Sequence, residues 1–351
     1  MFVRWSNLTL EADEQRRLPG YRDEAVVRRF DAPEALETRF YEVRAKSVLN
    51  RVPAASRMPF RWTINPYRGC SHACVYCLAR PTHKYLDFNA GRDFEKEIVV
   101  KVNAPEVLRA ELARPSWKRE HVALGTNTDP YQWVEGRYRL MVGIWEAMRD
   151  AGNPCSVLTK SPLLLRDLEL MLEIAARASF SASLSIPTLE EKAWRASEPH
   201  TPHPRARLEA VAELNRAGIP TGVLIAPLMP GINDSPQQVE RLLDEATAAG
   251  ATSIGGIALH LRGEVRGVFI DWLKSQRPDL VPRYERLYQR GAYAPRAERE
   301  RISKLVRRHG VPSGFRLLGA RADALRGGDE EDDGTESVQR ATPKIEQTSL
   351  F

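Results

Sequence analysis

Short apolar, β-branched runs alternate along the chain with longer stretches whose apolar positions recur every three or four residues. The runs predict strands over Arg61 to Asn65, Ile98 to Asn103, Val122 to Thr126, Ser156 to Thr159, Phe180 to Ile186, Thr221 to Ala226 and Ser253 to Leu259. Between them EVLRAELA, EGRYRLMVGIWEAMRDAG, PLLLRDLELMLEIAARA, PRARLEAVAELNRAG and SPQQVERLLDEATAAG read as amphipathic helices. Asn103 and Asp234-Ser235 stand where N-caps belong, and Gly152, Gly218 and Gly250 follow helix ends. Repeated β-α units imply an α/β fold around a parallel sheet, with a complete or partial (β/α) barrel as the expected closure and the chemistry at the C-terminal strand ends. Residues 1–55 lack this rhythm and are expected to wrap a barrel spanning 56–262, while 263–326 read as a C-terminal helical appendage.

Residues 327–351 break the pattern, with almost no apolar content before the end, so this stretch is expected to be a disordered tail. Its seven acids against two bases give it −5, which leaves +11 on the rest of a chain whose formal total is +6. A body so basic suits a polyanionic partner, because Lys and Arg that neutralise phosphates release counterions; a merely solvated basic surface is the alternative. No apolar run reaches the roughly 18 residues of a membrane span, and the first residues lack the apolar stretch of a secretion signal. A cytoplasmic protein is the expectation.

Three of the four cysteines fall within eight residues, too lopsided for a disulfide framework. In INPYRGCSHACVYC, Cys70, Cys74 and Cys77 are spaced C-x3-C-x2-C directly after a predicted strand. Three thiolates this close can hold three corners of a cubane iron–sulfur cluster and leave the fourth iron open to chemistry. A structural zinc site is the alternative, with His72 or His83 supplying the fourth ligand that a closed tetrahedral site needs.

This spacing, with the aromatic Tyr76 before the last cysteine, resembles the radical S-adenosylmethionine (SAM) superfamily. The longer run NPYRGCSHACVYCLARPTHKYLDFNAGRDFEKEIVVKVNAPEVLRAEL is similar to the branch related to spore photoproduct lyases, often labelled DNA repair photolyase-like, and the likeness extends from about Val43 to His309. The resemblance implies a partial (β/α)6-type barrel, a 4Fe–4S cluster on Cys70, Cys74 and Cys77, and S-adenosylmethionine on the open iron. It also implies one-electron cleavage of that cofactor to a 5′-deoxyadenosyl radical that takes a hydrogen from the substrate, with an electron donor as partner. By the same resemblance Tyr76 contacts the adenine, Lys160 in VLTKS faces the methionyl carboxylate, Ser185 in SLSIP matches a serine at a strand end, and Thr128 matches a hydroxyl residue after an earlier strand. For Lys160 the alternative is a solvated strand-end lysine, and for Ser185 and Thr128 an ordinary turn hydroxyl.

Two departures stand out. Leu78 replaces a second tyrosine, and Thr126 or Asn127 stands where the lyases carry a hydrogen-donating cysteine, which puts the thymine-dimer reaction in doubt. The remaining thiol, Cys155, lies at a strand start on the far side and reads as core. Glu198, His200, His203 and Arg207 in SEPHTPHPRAR could reach the mouth of the site, although a Pro-punctuated polar loop is the favoured reading. His260 ends the last predicted strand, and Met229 in APLMPGIND reads as a core or loop filler near the adenine side. QTSLF, Gln347 to Phe351, resembles peptides by which bacterial repair proteins dock on the sliding clamp, Leu350 and Phe351 filling a pocket while Gln347 supplies hydrogen bonds. Together these features lead to the expectation of a radical SAM enzyme acting on nucleic acid, DNA before RNA, in repair or modification; the rivals are a radical SAM enzyme for RNA or protein and a non-catalytic, metal-stabilised DNA-binding module.

Overall fold

A computed structural model describes residues 10–16, 25–30, 37–53, 56 and 58–307. The expected tail and the Gln347, Leu350, Phe351 peptide lie outside them. Among the described residues the strands are β1 (Leu10–Arg16), β2 (Ala25–Phe30), β3 (Arg39–Val43), β4 (Leu49–Arg51), β5 (Trp62–Ile64), β6 (Tyr67–Arg68), β7 (Glu97–Lys101), β8 (Val122–Leu124), β9 (Cys155–Thr159), β10 (Phe180–Ser185), β11 (Thr221–Leu228) and β12 (Ile254–Ala258). They form a seven-stranded sheet in the order β12-β11-β10-β9-β8-β5-β4 and a five-stranded sheet in the order β1-β2-β3-β7-β6.

In the larger sheet β5, β8, β9, β10, β11 and β12 run parallel in chain order, and β4 joins the β5 edge antiparallel. Six parallel strands with helical crossovers, in a sheet whose end strands β12 and β4 do not pair with each other, make the open (β/α)6 arrangement, an α/β fold. The helices are α1 (Arg92–Lys96), α2 (Ala104–Leu112), α3 (Glu135–Tyr138), α4 (Leu140–Ala151), α5 (Leu168–Ala175), α6 (Glu191–Ser197), α7 (Pro204–Arg216), α8 (Pro236–Ala248), α9 (Glu264–Gln276), α10 (Val281–Leu287) and α11 (Arg296–Leu305). Of these, α9 to α11 follow β12 in the chain, and α11 packs on β12 and α8. None of the helices among the described residues is long and apolar enough to cross a membrane.

The strand expected at Ile98 forms, but not in the barrel. As β7 it pairs parallel with β3 and antiparallel with β6. Ile98 and Val100 face Phe30, Phe40 and Tyr67, while Val99 faces Val27, Tyr41 and Leu86 on the other side. A strand apolar on both faces reads the same in either sheet, so pattern alone could not allot it. The amino-terminal segment, expected to wrap the barrel, contributes β1, β2 and β3 to this second sheet. Asn103 does precede α2, but its amide is bonded to Ala45 N (2.7 Å) and Ala45 O (2.9 Å) and so ties the two sheets' connections together instead of capping. The single long helix expected over 135–152 breaks at Arg139, whose φ is +52°. There the buried carboxylate of Glu135 accepts from Leu140 N (3.1 Å) and Met141 N (3.0 Å) and starts α4 afresh.

Helix α4 buries Met141, Ile144, Trp145 and Met148 in the core of the larger sheet, while Leu140 at its start packs with Phe40 and Tyr67 of the second. Truncating a side chain like Trp145 to alanine costs about 3–5 kcal/mol. The stiff layer this creates fixes where β8 and β9 end, and with them the side chains discussed next.

Candidate cofactor site

Beyond β6 the chain enters the cysteine loop through Gly69, whose φ is +86°. A Cβ there would stand 2.9 Å from His83 Cε1 and 3.0 Å from Phe94 O, so only glycine fits. Tight turns follow, with Ala73 N donating to Cys70 O (3.3 Å), Cys77 N to Cys74 O (3.2 Å) and Arg80 N to Cys77 O (3.3 Å). From behind, the buried guanidinium of Arg80 donates to the carbonyls of Cys74 (3.0 Å), Ala73 (3.1 Å), Ala90 (3.1 Å) and Gly91 (2.9 Å), and pairs with Glu95. On the barrel side the amide of Gln132 accepts from Ser71 N (3.0 Å) and donates to Gly69 O (3.3 Å).

The three thiols are unpaired, and Cys70 and Cys74 are buried. Burial pushes the Cys77 thiol up to about 11 and raises that of Cys74 as well, with the neighbouring cysteines adding to both shifts. A thiolate set so placed fits a positively charged iron centre, which would replace the lost hydration. Among the described residues no three Cys, His, Asp or Glu side chains gather as a single ion would require. The two histidines nearest in sequence already have other partners. His83 Nε2 lies 2.8 Å from Glu97 O with its ring packed on Phe88 and Phe94, and His72 Nδ1 faces Asp129 Oδ2 at 3.4 Å. The donor set therefore suits three corners of a cubane better than a closed zinc site.

At the C-terminal strand ends beside this loop, Lys160 follows β9 and Ser185 closes β10. The ammonium of Lys160 donates to Ser185 Oγ at 2.7 Å, meets Glu198 Oε1 at 2.7 Å and lies 5.6 Å above the centre of the Tyr76 ring. Tyr76 Oη in turn donates to Glu198 Oε1. The other carboxylate oxygen accepts from Arg207 Nη2 at 2.7 Å, and Arg207 Nη1 reaches Ser185 O at 2.8 Å. Glu198 and Arg207 are both fully buried. Burial alone would raise the Glu198 carboxyl, but Arg207 and Lys160 outweigh it and hold the group down at about 2. Asp129 anchors the Lys160 backbone, accepting from Lys160 N (2.7 Å) and Thr159 Oγ1 (2.6 Å).

Tyr76, Lys160 and Ser185 thus converge. Thr128 is buried nearby but donates to Tyr67 O at 2.8 Å, so its proton serves the backbone. Met229 packs with Cys74 and Tyr76 in one apolar cluster. Cys155 is buried in the main core at the opposite end of β9 from Lys160. Thr126 Oγ1 lies 2.8 Å from Thr63 Oγ1. His203 caps α7 by accepting from Arg205 N (3.1 Å), and His260 stacks on Tyr293, so neither joins the cluster around Lys160. Sequence reasoning weighed Glu198 and Arg207 but favoured a loop, and it passed over Arg80, Asp129 and Gln132. Their signal lies in tertiary burial, which a polar, Pro-rich stretch conceals.

Residues 64–246, which carry the cysteine loop, Lys160 and Ser185, match the model of the Radical SAM superfamily. The chain belongs to the radical SAM superfamily. Membership implies a 4Fe–4S cluster and S-adenosylmethionine as cofactors. This radical SAM protein is 47% identical over 308 residues to an uncharacterized protein of Mycobacterium tuberculosis (strain ATCC 25618 / H37Rv), covering 87% of this chain and 91% of that one. It is 29% identical over 195 residues to an uncharacterized protein of Methanocaldococcus jannaschii, covering 55% of this chain and 69% of that one. Among solved structures, spore photoproduct lyase complexed with dinucleoside spore photoproduct matches with a TM-score of 0.58 at 15% identity, over 81% of this chain and 85% of that one. At that identity the likeness is one of fold.

Proposed function

We propose that this radical SAM enzyme acts on nucleic acid, with DNA as the substrate, in a repair or modification reaction that begins by hydrogen-atom abstraction. The observation that carries the reading is the convergence of the cysteine loop with Lys160, Ser185 and Tyr76 at the open strand ends of a barrel whose chain, outside residues 327–351, is strongly basic. A structural neighbour solved in complex with dinucleoside spore photoproduct, the spore photoproduct lyase, supports the choice of DNA. So does the likeness of Gln347 to Phe351 to clamp-docking peptides.

Cys70, Cys74 and Cys77 would hold the cluster, which, with electrons from an external donor, would supply one-electron chemistry toward S-adenosylmethionine. In this reading Lys160 binds the methionyl carboxylate, and Tyr76 lies along the adenine. Ser185 fixes the Lys160 ammonium, and Thr128 holds the loop after β8 to the strand that leads into the cysteines. Met229, Leu259 and Leu261, packed with Cys74 and Tyr76, keep water from the reacting carbon. The photoproduct-lyase reaction itself is not proposed, because by the resemblance Thr126 or Asn127 stands where the lyases carry the thiol donor, and neither a hydroxyl O–H nor an amide N–H is a weak enough bond to substitute for it.

The test is the rate of S-adenosylmethionine cleavage by anaerobically reconstituted protein with DNA, RNA or peptide added. Acceleration by DNA supports the reading. Equal rates with all three, or acceleration by RNA or peptide alone, contradict it.

A further inference from the structure

We infer that Glu198 is a positioning residue of the cofactor site, holding the Lys160 ammonium and the Tyr76 ring in the places from which they grip S-adenosylmethionine. The inference rests on the assignment of Lys160 to the methionyl carboxylate. A lysine ammonium carries three donors and no acceptor. Here one donor meets Ser185 Oγ and a second meets Glu198 Oε1, each at 2.7 Å, which leaves the third for an incoming carboxylate and fixes its direction. Without Glu198 the ammonium would keep only Ser185 Oγ and the face of a Tyr76 ring that has itself lost its carboxylate partner.

The same oxygen, Oε1, accepts the hydrogen bond donated by Tyr76 Oη, so one carboxylate sets both the cation and the aromatic ring. Its own position is set from the other side. Arg207 clamps Oε2 and the Ser185 carbonyl, and Thr201 Oγ1 lies 3.3 Å from Oε2. The trio of Lys160, Arg207 and Glu198 retains one positive charge, the complement of one carboxylate. Being fully buried, Glu198 acts through Lys160 and Tyr76 and does not itself touch the ligand.

A double-mutant cycle separates this role from mere structural support. S-adenosylmethionine affinity is measured by calorimetry on the cluster-reconstituted protein, with iron content measured alongside. Lys160→Ala is expected to weaken binding by about tenfold or more, as loss of a charge-assisted contact does. Glu198→Gln is expected to weaken it by about five- to twentyfold at unchanged iron content, and the combined variant to bind within about threefold of Lys160→Ala, since Glu198 works mainly through that lysine. Because Glu198→Gln leaves Arg207 as a buried lone cation, Glu198→Gln/Arg207→Met is the companion, expected to lose affinity to the same extent; if the single variant does not fold, the companion decides. Wild-type affinity in the folded Glu198 variants, or losses that multiply in the combined variant, would overturn the inference. Wild-type affinity in Lys160→Ala would overturn the carboxylate assignment as well, whereas a Lys160 effect without a Glu198 effect overturns this inference alone.

Discussion

The guanidinium of Arg80 ends on the carbonyl oxygen of Cys74, Nε to O at 3.0 Å, six residues back along the same loop. With its further bonds to Ala73, Ala90 and Gly91 it supplies, from within the protein, donors that a loop of this irregularity would otherwise find in water. The thiol geometry therefore depends on a cation that touches no thiol directly.

Arg80→Ala should leave those carbonyls unsatisfied in the interior and lower stability by about 3–5 kcal/mol, as breaking a buried charged contact does. Arg80→Lys should recover only part, because an ammonium cannot reproduce the planar fork. Chemical denaturation together with iron content after anaerobic reconstitution checks both, and iron loading in Arg80→Ala equal to wild type would refute the role.

Replacing Cys70, Cys74 or Cys77 by alanine should each abolish iron loading, since each thiolate supplies one corner. Cys155→Ala should retain it and cost about 1 kcal/mol of stability, the ordinary penalty of a small deletion in the core where Phe180 and Trp145 pack. Iron analysis and the absorption near 400 nm distinguish the two classes of variant.

Glu198 gives the protein an acid-sensitive element. Its carboxyl lies at about 2 in the folded chain against 4.5 for the free group, so the folded state binds its proton less readily than the unfolded state does. The stabilisation, about 3 kcal/mol by linkage, is fully present above pH 4.5 and is lost as pH falls from 4.5 through 2. Denaturation midpoints at pH 6 and pH 3.5 should differ less in Glu198→Gln/Arg207→Met than in the wild type, and an identical difference would contradict the ion pair.

The basic body should bind DNA with an affinity that falls steeply with salt, and removing residues 327–351, which carry −5, should strengthen that binding because like charge competes with the polyanion. Removing only Gln347 to Phe351 should leave DNA affinity in place and eliminate association with a purified sliding clamp. Fluorescence anisotropy at two salt concentrations and a clamp pull-down read the two effects separately.

How much of this was legible in the sequence follows from where each signal lies. The cysteine spacing is local, and so are the strand runs that became β8 to β12, each bounded by turn residues that fix its ends. Lys160 and Ser185 fall at those ends, which is why their convergence could be anticipated from topology. The allotment of β7 to a second sheet depends on what covers each face, and Ile98 to Val100 are apolar on both. Glu198 and Arg207 looked like loop residues because Pro199, Pro202 and Pro204 surround them, and only the packing of α7 against β10 draws the pair inside. Arg80, between Ala79 and Pro81, carries no local mark of burial at all.

The most direct test of the central claim is hydrogen transfer from the substrate. Reconstituted protein is incubated anaerobically with reductant, S-adenosylmethionine and deuterated DNA, and the 5′-deoxyadenosine formed is analysed by mass spectrometry. Deuterium in that product is the expected result. 5′-Deoxyadenosine that forms but carries no deuterium would contradict the claim that DNA is the substrate from which this enzyme takes a hydrogen atom.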